Sequence, residues 1–177
     1  MNKESGTLFI ITGNGKGKTT SALGMVSRVL GHDGKAFVIQ FIKKDVERFG
    51  EYKLFSSLGV EWESYGEGFT WQQDSLDKTR ELCEQGWAKF KELVNEPYDL
   101  IVLDEFTYLL KLELLKKDEV LAFFKELKKR DHYPSIVVTG RDADKGLIDL
   151  FDTVSNVEDV KHHYRSKGQN AKEKIEY

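Results

Sequence analysis

The feature that most constrains the fold is an apolar run that leads directly into a glycine-rich loop. Residues 8–11 are all apolar, and Gly13, Gly15 and Gly17 follow within five positions. A buried strand that ends in such a loop, with a helix after it, is typical of a phosphate cradle, because backbone N–H groups and a helix N-terminus both attract an anion. The sequence therefore predicts a nucleotide site near the start of the chain.

The residues around these glycines carry the groups that ATP requires. Lys18 offers a cation to the terminal phosphates, and Thr19 offers a hydroxyl to Mg²⁺ or Mn²⁺. The usual motif has a glycine at the position of Thr12, so a glycine-rich turn without a ligand is the competing interpretation. We expect the loop to contact ATP through the residues Thr12, Gly13, Asn14, Gly15, Lys16, Gly17, Lys18, Thr19 and Thr20.

Composition limits the class of protein. With 177 residues, of which 40% are hydrophobic, the chain can bury the core of one domain that spans residues 1–177 and ends in a short polar tail, about 168–177. No apolar run is long enough to cross a bilayer, and a net charge of −3 with mixed signs gives no overall attraction for nucleic acid. Cys83 has no second cysteine to pair with, and the N-terminus lacks an apolar signal segment. We expect a cytoplasmic protein that binds neither membranes nor nucleic acid.

Strand and helix patterns alternate along the chain. Apolar or alternating runs predict strands at 36–42, 60–65, 98–105, 135–139 and 152–157. Helical spacing of apolar residues predicts helices over 19–30, 74–95 and 118–129, with weaker signals at 45–57 and around residue 148. Alternation of this kind predicts an α/β fold with a mostly parallel sheet that is flanked by helices on both faces.

Two carboxylates, Asp104 and Glu105, close the apolar strand at 98–105. In P-loop nucleotide sites a carboxylate at such a strand end holds Mg²⁺ directly or through water, whereas the plainer interpretation is an acidic residue that starts the next turn. Gly140 and Arg141 follow the strand at 135–139. Because parallel sheets bind ligands beyond the carboxyl ends of their strands, we expect the glycine-rich loop, the carboxylate pair and Arg141 to meet in one crevice at ATP.

Six short motifs occur in order over nearly the whole chain. They are TGNGKGKTT at 12–20, QFIK at 40–43, GFTW at 68–71, VLDE at 102–105, TGR at 139–141 and VKH at 160–162. This set resembles the P-loop type of ATP:corrinoid adenosyltransferase, also called cob(I)alamin adenosyltransferase. The resemblance implies a RecA-like fold, usually as a homodimer, that transfers the 5′-deoxyadenosyl group of ATP to the cobalt of a reduced corrinoid such as cobalamin and releases triphosphate.

The resemblance also implies roles on the ATP side of the site. Lys18 and the backbone of residues 13–17 would bind the phosphates during catalysis. Thr19 and Glu105 would ligate Mg²⁺ or Mn²⁺, and Asp104 would support that metal site from behind its ligands. Because cobalt(I) is itself a strong nucleophile toward C5′ of the ribose, the protein would mainly have to hold ATP and neutralise the leaving triphosphate.

On the corrinoid side, the resemblance points to Phe69 and Trp71 of the GFTW motif. The two rings would crowd the lower face of the corrin and displace its axial base. Loss of that ligand raises the cobalt(II)/(I) potential, which makes cobalt(I) accessible to a cellular reductant. Composition alone favours the simpler interpretation that these aromatic residues belong to the hydrophobic core.

Two other classes of protein use a phosphate cradle of this kind. A small-molecule phosphotransferase would cleave ATP at the γ-phosphate, and it would need a base near an acceptor hydroxyl. A non-catalytic nucleotide-binding module or switch would bind ATP through the same residues and release it intact or hydrolyse it slowly. Neither class explains the GFTW motif at 68–71.

Overall fold

A six-stranded sheet forms the centre of the computed structural model, which describes residues 5–68 and 77–175. The strands are β1 (Leu8–Thr12), β2 (Ala36–Phe41), β3 (Glu61–Tyr65), β4 (Leu100–Asp104), β5 (Ser135–Thr139) and β6 (Thr153–Asn156). They lie in the order β3-β2-β4-β5-β1-β6, and every neighbouring pair is parallel. The expected parallel sheet is therefore confirmed, and all its strands end at the same edge.

The described residues also form seven α-helices and one 3-10 turn. The helices are α1 (Lys18–Leu30), α2 (Gly50–Ser57), α3 (Asp77–Leu93), α4 (Thr107–Lys111), α5 (Lys117–Leu127), α6 (Lys145–Leu150) and α7 (His163–Lys167), and the 3-10 turn is Val46–Arg48. Within the described ranges, no helix combines the length and the apolar character needed to span a membrane.

The helices cover both faces of the sheet, as the sequence predicts. On one face, Val38 and Val102 pack with Leu23 and Val26 of α1 and with Phe55 of α2. Burial of each large apolar side chain of this kind contributes about 1.5–3 kcal/mol. Because helices cover both sides, β2 and β4 have no water-facing surface and are buried along their whole length.

The opposite face is covered by α3, α4, α5 and α6, and its core is rich in aromatic rings. Trp87 of α3 lies with its ring centroid 5.3 Å from that of Phe90 and 5.6 Å from that of Phe106. Phe124 of α5 closes the cluster, with its ring centroid 5.9 Å from that of Trp87. This packing fixes α3 across the sheet and leaves the carboxyl edge of the strands open for a site.

The observed helices differ from the predicted ones at the ends of α3 and in two short helices. The helix expected over 74–95 is confirmed from Asp77 to Leu93, and residues 74–76 lie outside the described part of the chain. It ends before Pro97, and the Asn95 side chain satisfies two carbonyl oxygens of its last turn by donating to Lys91 and Glu92 at 3.1 and 3.2 Å. The short helices α4 and α7 were not expected, because five residues are too few to show a helical period.

Candidate active site

The glycine-rich loop and the carboxylate pair meet at the carboxyl edge of the sheet. The Thr19 hydroxyl, in the first turn of α1, donates to Asp104 Oδ1 at 2.8 Å, although the two residues are 85 positions apart. Lys18, Thr19 and Glu105 line one cavity of about 830 Å³. Arg141 lies close enough for its positive charge to act on Lys18. The strand order explains this convergence, because β4 and β1 both flank β5.

Asp104 is fully buried and accepts four hydrogen bonds. Thr19 and Thr139 donate to Oδ1 at 2.8 and 2.6 Å, and the Gln40 amide and the Lys43 ammonium donate to Oδ2 at 2.7 and 2.9 Å. Burial alone would raise the pKa of this carboxyl, but the charge of Lys43 and these hydrogen bonds hold the pKa below its usual range. Asp104 is therefore ionised, and its acceptor capacity is already filled by protein groups.

Glu105 is placed differently from its neighbour. Its backbone adopts φ of +60°, a conformation that is uncommon outside glycine, and its N–H donates to Thr139 Oγ1 at 3.0 Å. Oε1 lies 3.6 Å from the Lys43 ammonium, whereas Oε2 is buried without a hydrogen-bond partner in the described part of the chain. Burial and the adjacent charge of Asp104 raise the pKa of Glu105. A carboxylate oxygen in this position is suited to bind a cation.

These groups fit a divalent metal ion such as Mg²⁺. Thr19 gives its hydroxyl proton to Asp104, so the lone pairs of Thr19 Oγ1 are available, and Glu105 Oε2 offers a second oxygen. Mg²⁺ takes oxygen ligands and is usually held by one or two protein groups together with phosphates and water. Asp104 is saturated and orients Thr19, while its supporting role at a metal site stays a prediction.

Lys18 lies at the start of α1 and points back into its own loop. Its ammonium donates to the Gly15 carbonyl oxygen at 2.8 Å. Burial and the nearby positive charge of Arg141 lower the pKa of Lys18. Gly17, immediately before the helix, has φ of +108°, and no atom lies within 4 Å of the position that a Cβ would take. An anion in front of α1 would therefore meet Lys18 and an open backbone.

The first two glycines of the loop pack against the segment that follows β6. A Cβ on Gly13 would lie 2.4 Å from the Val157 carbonyl oxygen, and one on Gly15 would lie 2.5 Å from that of Glu158. The Gly15 N–H donates to the Val157 carbonyl at 2.8 Å. Gly13 and Gly15 therefore let two backbones approach each other. The phosphate role predicted for all three glycines stays a prediction.

The remaining loop residues divide between two sides. Lys16 and Thr20 line the same cavity as Lys18. Thr12, Gly13 and Asn14 line a second hollow of about 440 Å³, which also borders on residues 156–159. The loop therefore has a face toward α1 and a face toward β6. The expected contact of all nine loop residues with ATP stays a prediction.

The cavity continues from the charged groups along α1 toward α2. The walls of the cavity in this direction are Leu23, Gly24, Ser27, Phe49, Phe55 and Ile175. A Cβ on Gly24 would meet no atom within 4 Å, so this stretch of α1 leaves space for a ligand. A volume of about 830 Å³ lies within the range of small-molecule and cofactor sites.

Comparison with known proteins then identifies the family. The family model described as "ATP:corrinoid adenosyltransferase BtuR/CobO/CobP" matches residues 4–177. The chain belongs to this family. It is 36% identical over 175 residues to the corrinoid adenosyltransferase of Escherichia coli (strain K12), which covers 98% of this chain and 87% of the relative.

Two further relatives carry the same kind of name. The corrinoid adenosyltransferase CobA of Salmonella typhimurium is 36% identical to this chain over 176 residues. The alignment covers 99% of this chain and 87% of the relative. The corrinoid adenosyltransferase of Pseudomonas aeruginosa is 38% identical to this chain over 177 residues, in an alignment that covers 98% of this chain and 85% of the relative. Family membership confirms what the six motifs indicate, and the observed sheet is consistent with the RecA-like P-loop fold expected of it.

Three residues of this adenosyltransferase-family site were not predicted individually. Gln40, Lys43 and Thr139 all contact Asp104, yet the sequence singled out their motifs only through the family resemblance. A usable signal was present, because Gln40 and Lys43 are polar residues within or just after an otherwise apolar strand. Such residues are rarely buried without a specific partner.

The corrinoid-side residues Phe69 and Trp71 lie outside the described part of the chain. Gly68 is the last described residue before them, with φ of +98°, and it lines the 830 Å³ cavity. Its N–H donates to the Ile42 carbonyl oxygen at 2.8 Å. The GFTW motif therefore begins at the wall of the site.

Proposed function

We propose that this chain transfers the 5′-deoxyadenosyl group of ATP to the cobalt of a reduced corrinoid and releases triphosphate. The observation that carries the proposal is the match of residues 4–177 to the ATP:corrinoid adenosyltransferase family. The geometry supports the ATP half independently, since Lys18, Thr19 and Glu105 line one cavity of nucleotide size.

On the ATP side, Lys18 and the open backbone at Gly17 bind the phosphates, and Lys16, Thr20 and Arg141 add contacts around them. Lys18 leaves the Gly15 carbonyl for the anion, a change that its flexible side chain allows. Thr12, Gly13, Asn14 and Gly15 complete the ATP-binding loop, and Gly13 and Gly15 also pack against the segment after β6.

Thr19 and Glu105 hold Mg²⁺ or Mn²⁺, and Asp104 keeps the Thr19 hydroxyl turned so that its lone pairs face the ligand side. A divalent ion bound there neutralises negative charge on the triphosphate. Two observations support this assignment. Glu105 Oε2 has no hydrogen-bond partner in the described part of the chain, whereas the oxygens of the neighbouring Asp104 already accept hydrogen bonds from protein donors.

The transfer itself needs no nucleophile from the protein. Cobalt(I) gives an electron pair to C5′ of the ribose, the C5′–O bond breaks, and its electrons leave with the triphosphate. The work of the chain is to hold C5′ at the cobalt and to offset the charge of the leaving group, which Lys18 does directly. Lys18 is the described residue to which we assign a catalytic role.

On the corrinoid side, we assign Phe69 and Trp71 to displacement of the lower axial ligand, with a cellular reductant supplying the electron that forms cobalt(I). The position of Gly68 at the cavity wall supports this placement. We further propose that the protein acts in the cytoplasm as a homodimer.

Product analysis tests the proposed function. Phosphorus NMR of ATP with chemically reduced cob(I)alamin should show inorganic triphosphate in proportion to adenosylcobalamin, with no corrinoid-dependent ADP. ADP that accumulates only with corrinoid would instead identify a phosphotransferase. Absence of any product, with ATP still bound, would identify a nucleotide-binding module. The same mixture without corrinoid and the Lys18→Ala variant serve as controls.

A further inference from the structure

Lys43 places one positive charge between the two carboxylates of the candidate metal site. Its ammonium, just beyond the end of β2, lies 2.9 Å from Asp104 Oδ2 and 3.6 Å from Glu105 Oε1. The side chain is 18% exposed and passes the Phe49 ring, with the ammonium 5.9 Å from the ring centroid. Lys43 also lines the 830 Å³ cavity, so its charge faces any ligand there.

In the described part of the chain, the ion pairs of Asp104 and Glu105 are both with Lys43. Asp104 is completely buried, and an isolated buried carboxylate is strongly unfavourable. Lys18, the next cation of the cavity, donates to the Gly15 carbonyl instead. Lys43 therefore offsets part of the negative charge of the carboxylate pair, and Lys18 adds a weaker attraction from beyond ion-pair distance.

We propose that Lys43 is a built-in counter-cation that makes metal binding depend on ATP, so that the divalent ion enters as its ATP complex and not alone. A free divalent ion is positive and must compete with the Lys43 ammonium for Glu105. The complex of that ion with ATP is negative overall, so the same ammonium attracts it. The inference rests on the proposed function, because it takes Thr19 and Glu105 as the metal ligands. Lys43 acts through the carboxylates and is a positioning residue.

This idea predicts effects of opposite sign on two binding reactions. Removing the charge in Lys43→Met should tighten the binding of Mn²⁺ alone at least about fivefold and weaken the binding of the Mn·ATP complex by a similar factor. Loss of a merely structural contact would weaken both reactions together. Electron paramagnetic resonance of free Mn²⁺ measures the first reaction, and calorimetry with ATP but no corrinoid measures the second.

Lys44 provides the matched control. It lines the same cavity and is exposed, but the ion pairs of Asp104 and Glu105 given above are with Lys43. Lys44→Met removes the same charge and should not tighten the binding of Mn²⁺ alone. Lys43→Arg keeps the charge, so this variant should, like the wild type, bind Mn·ATP more tightly than Mn²⁺ alone.

Lys43→Gln guards against loss of the fold, because it removes the charge but keeps a hydrogen-bond donor for Asp104. If charge removal unfolds the protein in EDTA, Mn²⁺ must restore a folded thermal melt, since the free ion would then supply the missing charge. Unchanged or weaker binding of Mn²⁺ alone, an unchanged affinity for Mn·ATP, or a variant that stays unfolded with Mn²⁺ would each overturn the inference.

The wild-type measurement separates this inference from the proposed function. If the wild type does not bind Mn·ATP, the proposed ATP site itself is wrong. If the wild type binds Mn·ATP and the Lys43 variants change both affinities in the same direction, the ATP site stands and only the role of Lys43 fails.

Discussion

Thr19 Oγ1 lies 2.8 Å from Asp104 Oδ1, and this single hydrogen bond joins the phosphate loop to the acidic strand end. The hydroxyl proton points at a carboxylate that three other groups already hold, so the direction of the bond is fixed. The oxygen lone pairs consequently face away from Asp104, toward the ligand side. One contact thus sets both the position and the orientation of a proposed metal ligand.

Thr19→Val tests that contact, because it keeps the shape and removes the hydroxyl. We expect kcat/KM to fall by about a hundredfold or more, as for other lost polar groups that act on the leaving group. The free energy of unfolding should fall by only about 1 kcal/mol. Thr19→Ser restores the hydroxyl and should recover most of the activity. Equal activity in the Val and Ser variants would contradict the metal role.

Lys18→Ala should abolish productive ATP binding while the fold survives. The side chain is half-buried in the loop, outside the two hydrophobic clusters, so its loss removes the phosphate cation without opening the core. Calorimetry with Mg·ATP and a thermal melt provide the two readings. Lys53→Ala removes the same charge from the exposed side of α2 and should change neither. An unchanged ATP affinity in Lys18→Ala would show that the loop is not a phosphate cradle.

Glu105→Gln should raise the Mg²⁺ concentration needed for half-maximal turnover, because an amide oxygen replaces a charged ligand. Without metal, the same variant should melt higher than the wild type near neutral pH. Folding raises the pKa of Glu105 above its ordinary value of 4.5, so the ionised form weakens the folded state at high pH.

The size of this stability difference should depend on pH in one direction. It should be absent below pH 4.5, where Glu105 is protonated in both folded and unfolded wild type, and it should grow as the pH rises. Above the raised folded pKa it should become constant. Thermal melts in EDTA at several pH values measure it, and a gap that widened on acidification would refute the assignment.

Gly15→Ala should damage the loop from its rear face. The new Cβ would lie 2.5 Å from the Glu158 carbonyl oxygen, so one of two backbones must move. We expect a destabilisation of about 1–3 kcal/mol and a weaker affinity for ATP. Gly24→Ala is the matched comparison. Gly24 lies in α1, where a Cβ would meet nothing within 4 Å, so this substitution should raise the melting temperature slightly. Equal melting of the two variants would contradict the observed packing.

Phe69→Ala and Trp71→Ala separate the corrinoid role from a core role. If the rings displace the axial ligand, turnover from cob(II)alamin should fall, ATP binding should persist, and pre-reduced cob(I)alamin should partly rescue activity, because cobalt(I) does not retain that ligand. Core aromatic residues would instead cost about 3–5 kcal/mol each and impair both assays equally. A thermal melt beside the two assays distinguishes these results.

The sequence predicts the central strands and the cradle well because both are local signals. Strands buried on two faces are continuous apolar runs, as Ser135–Thr139 shows with its expected bounds, and the glycine–lysine loop lies between a strand and a helix. The charge arrangement around Asp104 is not local. Lys43 and Thr139 reach it from two other strands, so their role depends on strand order, which no single segment encodes.

The glycines of the loop also have tertiary contacts that the local sequence does not predict. Gly13 and Gly15 fit a phosphate motif by spacing, yet their contacts are with Val157 and Glu158 at the far end of the chain. Likewise, at the end of α3, the Asn95 side chain donates to the carbonyl oxygens of Lys91 and Glu92. Local patterns indicate that a loop or a stop exists, whereas tertiary contacts decide what it touches.

The pairing of β1 has a consequence for the order in which the protein matures during synthesis. β1 leaves the ribosome first, but its two neighbours in the sheet are β5 and β6, the last strands to emerge. Gly13 and Gly15 of the phosphate loop likewise pack against residues 157 and 158, which are made later. A nascent chain that has been made as far as Glu105 already holds Thr19, Lys43 and both carboxylates, yet it lacks the segment at 157–158 that packs against the loop. Competence to bind ATP therefore arises only after β5, β6 and residues 157–158 have been made.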